Sequence, residues 1–128
     1  MSGDSTAVTK VVERYIDAYN AKDFDAVLDC LAPDLDFEHY NRGFAFKRAS
    51  ELVDVIREFA GKAIPDRQLG PALRTHTVGD VVYREQMWGG TLTADIPGFG
   101  TAGESISVRL STVFTVRDGK IVEYYDYG

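Results

Sequence analysis

The hydrophobic residues of this chain change their spacing near residue 72, and that change restricts the fold more than any other feature. Before it, apolar residues recur every three or four positions, as on one face of a helix. After it, apolar and polar residues alternate, as in a strand with one buried face. Helices followed by a run of strands are typical of an α+β fold. The length of 128 residues fits a single domain, 1–128.

Three amphipathic helices are predicted before residue 62. The first runs to about Ala21, the second is capped by Asp23 and stopped by Pro33, and the third is capped by Ser50. A short strand pair, beginning with 35–41, separates the second helix from the third. Residues 63–71 are predicted to form a loop. The strands that follow are predicted at 72–78, 81–91, 104–116 and 120–127.

Polar side chains interrupt two apolar faces of the predicted elements. Tyr15 and Tyr19 lie one turn apart on the apolar stripe of the first helix, so they are either core aromatics or hydroxyls that point into a cavity. His39 and Asn41 end the inward face of the first strand. Such a face is either a pocket wall or a strand that leaves the core.

The last strand carries a carboxylate, Asp126, between two tyrosines and two residues before the chain ends. This charge is either solvated or held in a pocket. Alternation places Asp126 on the same face as Val122 and Tyr124. Within the strand 81–91, Trp88 shares a face with Arg84 and Gln86. We interpret Trp88 as packing in a pocket wall.

Composition excludes several classes of function. The net charge of −6 argues against a nucleic-acid or anionic-membrane surface, and no apolar run is long enough to span a bilayer. Cys30 is the only cysteine and no signal peptide is visible, so a cytoplasmic setting is expected. No phosphate-binding loop, metal-ligand spacing or nucleophile elbow is present. We therefore expect no cofactor and no metal.

The chain resembles the SnoaL-like polyketide cyclases of the nuclear-transport-factor-2-like superfamily, and their ketosteroid isomerase and limonene epoxide hydrolase relatives. The resemblance covers nearly the whole chain and is carried by 12–27, Pro65-Asp66, 78–84, Gly89-Gly90-Thr91, Ile96-Pro97-Gly98 and 114–126. It implies a cone-shaped α+β barrel, in which three helices pack on a strongly curved, mostly antiparallel sheet around a deep apolar pocket. It also implies a homodimer through the outer sheet face.

The resemblance implies roles for single residues. Asp126 falls where relatives carry an acid–base aspartate, and His39 falls near the proton-shuttling aspartate of the isomerases. Asn41 and Arg84 match residues of the epoxide hydrolases, but Gln86 replaces their aspartate and cannot take up a proton.

Tyr15 or Tyr19 would supply a phenol that binds an oxyanion, as in the isomerases. The candidate ligand-binding residues are therefore Tyr15, Tyr19, Asn41, Arg84, Gln86, Trp88 and, from the last strand, Tyr124.

Three functions remain open from the sequence. The first is cofactor-free isomerase or cyclase chemistry on a small apolar carbonyl compound, with His39 and Asp126 as acid and base. The second is a binding or assembly module without catalysis, in which Asp126 forms a structural ion pair with Arg84. The third is addition of water to an epoxide. A pairing of Asp126 with His39 would favour catalysis.

Overall fold

A computed structural model describes residues 5–40, 43–58, 62–97 and 100–127. This part of the chain forms three α-helices and one seven-stranded sheet. The helices are α1 (Ser5–Ala21), α2 (Phe24–Cys30) and α3 (Ala49–Glu58). The strands are β1 (Leu31–His39), β2 (Phe44–Phe46), β3 (Gln68–Leu69), β4 (Arg74–Val78), β5 (Val81–Thr91), β6 (Ser105–Arg117) and β7 (Lys120–Tyr127).

The strands follow the order β2-β1-β7-β6-β5-β3, and β4 also pairs with β5. Among the strands of the described residues, only β1 and β7 are parallel; the other pairs are antiparallel. The pairings of β7 with β1 and with β6 each contain a register shift, which bends a sheet. The predicted α+β fold, with three helices on a curved and mostly antiparallel sheet, is confirmed.

The core lies between the helices and one face of the sheet. The apolar stripe predicted for the first helix is the buried face of α1, and Tyr15 is fully buried on it. The core also receives residues from α2, α3 and the sheet, among them Val27, Leu35, Val53, Phe114 and Ile121. None of the helices described is both long and apolar enough to cross a membrane.

Several boundaries differ from the prediction. α3 begins at Ala49, so Ser50 lies within the helix and does not precede it as its cap. α2 ends at Cys30 and β1 begins at Leu31, so Pro33 lies within a strand. The register shift between β1 and β7 falls between Leu31 and Asp36, and a proline without an N–H is tolerated in such an irregular stretch. The two-residue strand β3 lies within the predicted loop. The sequence did not predict this strand because two residues are too few to show a period.

Alternation along β7 is interrupted near its start. Thr115 pairs with Glu123 and Val116 pairs with Ile121, so Val122 is the extra residue of a bulge. Ile121 is therefore fully buried, whereas Val122, predicted on the inner face, is only partly buried. Beyond the bulge, Tyr124 and Asp126 share one face, as the alternation predicts, and both are buried.

Candidate functional site

A cavity of about 90 Å³ lies between the inner face of the sheet and helices α1 and α3. Its wall contains six of the nine predicted site residues: Tyr15, Tyr19, His39, Trp88, Tyr124 and Asp126. The other lining residues are apolar: Phe37, Phe46, Leu52, Val55, Ile56, Leu69, Val108 and Leu110. The cavity is thus an apolar space into which a few polar groups project.

The parallel pairing of β1 with β7 brings the two predicted acid–base residues together. His39 lies opposite Asp126, and Phe37 lies opposite Tyr124. Residues that are paired across neighbouring strands point to the same face of a sheet. His39 and Asp126 are therefore neighbours on the cavity wall.

Asp126 is a buried carboxyl group with one strong hydrogen bond. Its side chain is 5% exposed, and its Oδ1 atom accepts a hydrogen bond of 2.6 Å from the hydroxyl of Thr112. No lysine or arginine of the described residues forms a salt bridge with it. Burial raises its pKa to about 7, and the Thr112 hydrogen bond opposes this only in part. Both protonation states of Asp126 are therefore accessible near neutral pH.

A chain of hydrogen bonds continues behind the cavity wall. Thr112 Oγ1 accepts from Gln86 Nε2 at 3.1 Å, and Gln86 Oε1 accepts from Arg84 Nη1 at 3.4 Å. Arg84 Nη2 donates to the carbonyl of Gly70 at 3.0 Å. Gln86 and Thr112 thus stand between Arg84 and Asp126. The buried amide of Gln86 serves here as a donor to Thr112.

Three predicted residues do not line the cavity among the described side chains. Arg84 lines a separate cleft of about 420 Å³ beside α1 and β4, and Gln86 lies in the hydrogen-bonded chain behind the wall. Asn41 lies outside the described residues. The ligand-binding roles of these three residues stay predictions.

Three phenols complete the polar part of the wall. The hydroxyls of Tyr15 and Tyr124 are hydrogen-bonded at 3.0 Å, and burial raises the pKa of both well above its ordinary value. The Tyr19 hydroxyl accepts a hydrogen bond of 2.7 Å from Trp88 Nε1. All three phenols stay protonated at neutral pH and are hydrogen-bond donors.

Sequence reasoning missed two residues that contact this site. Thr112 lies within the predicted strand 104–116, where a hydroxyl in an otherwise apolar face is a signal of a buried polar partner. Arg67 is fully buried, and its guanidinium carbon lies 4.1 Å from the centroid of the Tyr19 ring. Arg67 is in an aperiodic segment, where no pattern indicates burial.

Within the described residues, no three His, Cys, Asp or Glu side chains are grouped closely enough to hold a metal ion.

A curved sheet covered by three helices, with an apolar cavity between them into which a few polar groups project, defines a protein of the nuclear-transport-factor-2-like fold. Residues 12–124 match the model of the SnoaL-like domain family. The match covers most of the chain, so this protein belongs to the SnoaL-like family. No curated protein matches the sequence significantly.

Several solved structures share the fold. A candidate polyketide cyclase from Xanthomonas campestris pv. campestris is 23% identical with a TM-score of 0.83, over 96% of this chain and 90% of that one. An LEH-like epoxide hydrolase from M. tuberculosis is 21% identical with a TM-score of 0.76, over 95% and 82%.

A hypothetical protein from Catenulispora acidiphila, with a ketosteroid isomerase-like fold and in complex with trimethylamine, is 18% identical. Its TM-score is 0.75, over 92% of this chain and 84% of that one. Identities this low establish a common fold and leave the chemistry to the residues of each site.

Proposed function

We propose that the protein is a cofactor-free isomerase or cyclase that uses general acid–base catalysis on a small carbonyl compound bound in the cavity. The observation that carries this proposal is Asp126, a carboxyl group on an apolar wall without a cationic partner among the described residues. Burial raises its pKa to about 7. A group that titrates near the working pH is suited both to take up and to return a proton.

The arrangement supports a proton transfer at the carbon next to a carbonyl. Ionised Asp126 takes the proton from this carbon, and the imidazole of His39 lies beside it on the cavity wall. Tyr19 or Tyr15 donates a hydrogen bond to the oxygen on which negative charge develops. A donor of this kind contributes about 3–4 kcal/mol to the transition state. Return of the proton to a different carbon completes an isomerisation.

Exchange of hydrogen for deuterium tests this step without knowledge of the natural substrate. Cyclohexanone in D₂O is followed by NMR with the wild-type protein, Asp126→Asn and His39→Ala. We expect Asp126→Asn to slow the catalysed exchange roughly 100-fold, as for loss of a general base. Asp36→Asn, on the opposite face of the sheet, is the matched control and keeps the wild-type rate. Wild-type rates in both Asp126→Asn and His39→Ala would contradict the proposal.

The size of the cavity favours a second candidate, a binding module without catalysis. A volume of about 90 Å³ is small beside the several hundred Å³ of typical enzyme pockets. Such a module would bind cyclohexanone, seen as shifts of the protein NMR signals, but would not accelerate its exchange. Binding together with exchange excludes this candidate.

A homodimer in the cytoplasm is the assembly and setting that we propose. Two rings support the dimer: Tyr40 and Tyr127 are stacked at 4.8 Å on the outer face and are 47% and 42% exposed. The buried free thiol of Cys30 is compatible with a reducing compartment. Light scattering tests the dimer, and Tyr40→Asp is expected to give a monomer. A monomeric wild-type protein at high concentration would contradict this assembly.

A further inference from the structure

A buried cation lies directly behind the cavity. Arg67 has no exposed surface, and its Nη2 atom donates to the carbonyl of Ile56, near the end of α3, at 2.9 Å. Within the described residues, no carboxylate forms a salt bridge with Arg67, and its Nε and Nη1 atoms have no hydrogen-bond partner. A buried charge without a counter-ion costs several kcal/mol. Its presence therefore calls for an explanation beyond packing.

The segment that carries Arg67 is fastened to the fold on both sides. Asp66 accepts a hydrogen bond of 2.7 Å from the backbone of β5. The side-chain amide of Asn20, in α1, forms two hydrogen bonds with the backbone of Leu69, at 2.9 and 2.8 Å. A Cβ atom at Gly90 would lie only 3.0 Å from the Cα atom of Arg67, so the segment can lie against β5 only because this residue is glycine.

Arg67 acts on the cavity through Tyr19. Its guanidinium lies 4.1 Å from the centroid of the Tyr19 ring, on the side chain whose hydroxyl accepts from Trp88 Nε1. An indole N–H only donates, so the proton of the Tyr19 hydroxyl is available to an acceptor in the cavity.

The three wall phenols differ in acidity. Burial raises the pKa of Tyr19, while the positive charge of Arg67 and the Trp88 hydrogen bond lower it. Burial raises the pKa of Tyr15 and Tyr124 well above the ordinary value. Tyr19 is therefore the phenol best suited to face negative charge.

We propose that Arg67 is a positioning residue that makes the Tyr19 side of the cavity select an oxygen carrying negative charge, so that the preferred ligands are enols and phenols that bind as their anions. This inference rests on the cavity of the proposed function and deepens it by naming the ligand class. The other ionisable groups that line the cavity are Tyr15, His39, Tyr124 and Asp126. An anion is accommodated when Asp126 is protonated, which burial favours.

A chromogenic phenol and its methyl ether test the inference. 4-Nitrophenol absorbs at longer wavelength when it is bound as the anion, whereas 4-nitroanisole differs from it by one methyl group and cannot ionise. In Arg67→Met we expect the affinity for 4-nitrophenol to fall about tenfold or more, with loss of the anion band of the bound probe. The affinity for 4-nitroanisole should change less than about twofold, since its binding does not depend on charge.

Arg57→Met is the matched control. Arg57 also lies over an aromatic ring, that of Phe24 at 5.2 Å, but on the exposed side of α3 and away from the cavity. Its replacement removes the same group and should leave both affinities unchanged. A loss of 4-nitrophenol binding in Arg57→Met as large as in Arg67→Met would mean that net charge, not Arg67, sets the preference, and would overturn the inference.

Two further variants decide the question even if Arg67→Met does not fold. Arg67→Lys keeps the charge and is expected to keep most of the preference for the anion. Tyr19→Phe keeps the ring and removes the hydroxyl, and it should lose the preference about as strongly as Arg67→Met. The inference is overturned if folded Tyr19→Phe binds the two probes in the wild-type ratio. This outcome is separate from the deuterium exchange, which depends on Asp126 and tests the proposed function.

Discussion

The two faces of β7 both carry tyrosines, but in opposite environments. Tyr124 and Asp126 point into the cavity, while Tyr125 and Tyr127 point to the outer face of the sheet. The phenol of Tyr124 meets another buried phenol, whereas that of Tyr125 donates to the carboxylate of Asp36 at 2.9 Å. The outer face pairs its polar groups with charges, and the inner face pairs its polar groups with neutral partners.

Two aspartates show what this difference does to acidity. Asp36, on the outer face, forms a salt bridge of 2.6 Å with Lys47, and the hydrogen bonds from Lys47 and Tyr125 lower its pKa. Asp126 has the Thr112 hydroxyl as its partner, and burial raises its pKa to about 7. The fold thus makes the outer aspartate an anion at neutral pH, through Lys47 and Tyr125, and the inner aspartate a group that titrates near neutral pH, through burial.

The largest expected effect is a pH-dependent stability that belongs to Asp126. The unfolded carboxyl loses its proton near pH 3.8 and the folded one near pH 7, so the folded state binds more protons between these values and stability falls as the pH rises. This difference between the folded and unfolded pKa of Asp126 corresponds to about 4 kcal/mol in the free energy of unfolding. Urea unfolding should show Asp126→Asn gaining about this much relative to the wild type between about pH 4 and pH 8.

Asp36→Asn is the control for this measurement. Its pKa is lowered, so its contribution is present above the unfolded pKa and is lost only on further acidification. Its difference from the wild type should be flat from about pH 5 to pH 8. A flat difference for Asp126→Asn as well would show that the inner carboxyl has an ordinary pKa, and the contrast between the faces would be lost.

A smaller effect is expected when the partner of Asp126 is removed. In Thr112→Val, Asp126 loses its donor and the buried amide of Gln86 loses its acceptor. This should cost about 1–3 kcal/mol in the free energy of unfolding. Because the Thr112 hydrogen bond lowers the pKa of Asp126, the pKa measured by carboxyl NMR should rise in the variant.

The outer neighbour Ser111 supplies the comparison for Thr112. Its hydroxyl is 3.4 Å from that of Tyr83 in a half-buried site. Ser111→Ala should change the free energy of unfolding by less than about 0.5 kcal/mol, as is usual at surfaces. Equal losses in the two variants would mean that the hydrogen bond to Asp126 contributes no more than an outer contact does.

The inner face could be predicted from sequence wherever a regular period survives. The stripe of α1 places Tyr15 and Tyr19 on its apolar face, alternation along β7 places Tyr124 and Asp126 on one face, and both faces are buried. Both patterns follow from local geometry, which repeats along the chain. At Val122 the prediction failed, because a bulge shifts the period and only the pairing of β6 with β7 reveals it.

Contacts between distant elements could not be predicted in this way. Thr112 lies opposite Asp126 only because the β6–β7 turn and the bulge at Val122 together set that register. Arg67 is buried because α3, β5 and α1 enclose a segment that has no period of its own. Arg84 shares a strand face with Trp88, yet the helix packed above that face divides it into two separate spaces.

Two neighbouring tyrosines of β7, Tyr124 and Tyr125, give a still smaller difference. Tyr124→Phe removes the partner of the Tyr15 hydroxyl in a fully buried site and should cost about 1 kcal/mol in the free energy of unfolding. Tyr125→Phe leaves Asp36 with Lys47 and with water, so its cost should be lower, within about 0.5 kcal/mol. Urea unfolding of both variants measures the order. A larger loss in Tyr125→Phe than in Tyr124→Phe would mean that the hydrogen bond on the outer face contributes more to stability than the one on the inner face.

The smallest effect is expected for the outer salt bridge. The side chains of Lys47 and Asp36 are 77% and 36% exposed, so water and ions screen their attraction. Lys47→Ala should therefore change the free energy of unfolding by about 0.5 kcal/mol or less, and molar salt should abolish the difference. Unfolding at low and high salt checks both statements. A loss of several kcal/mol that persists in salt would mean that the outer face is shielded from solvent, as a second copy of the chain would shield it.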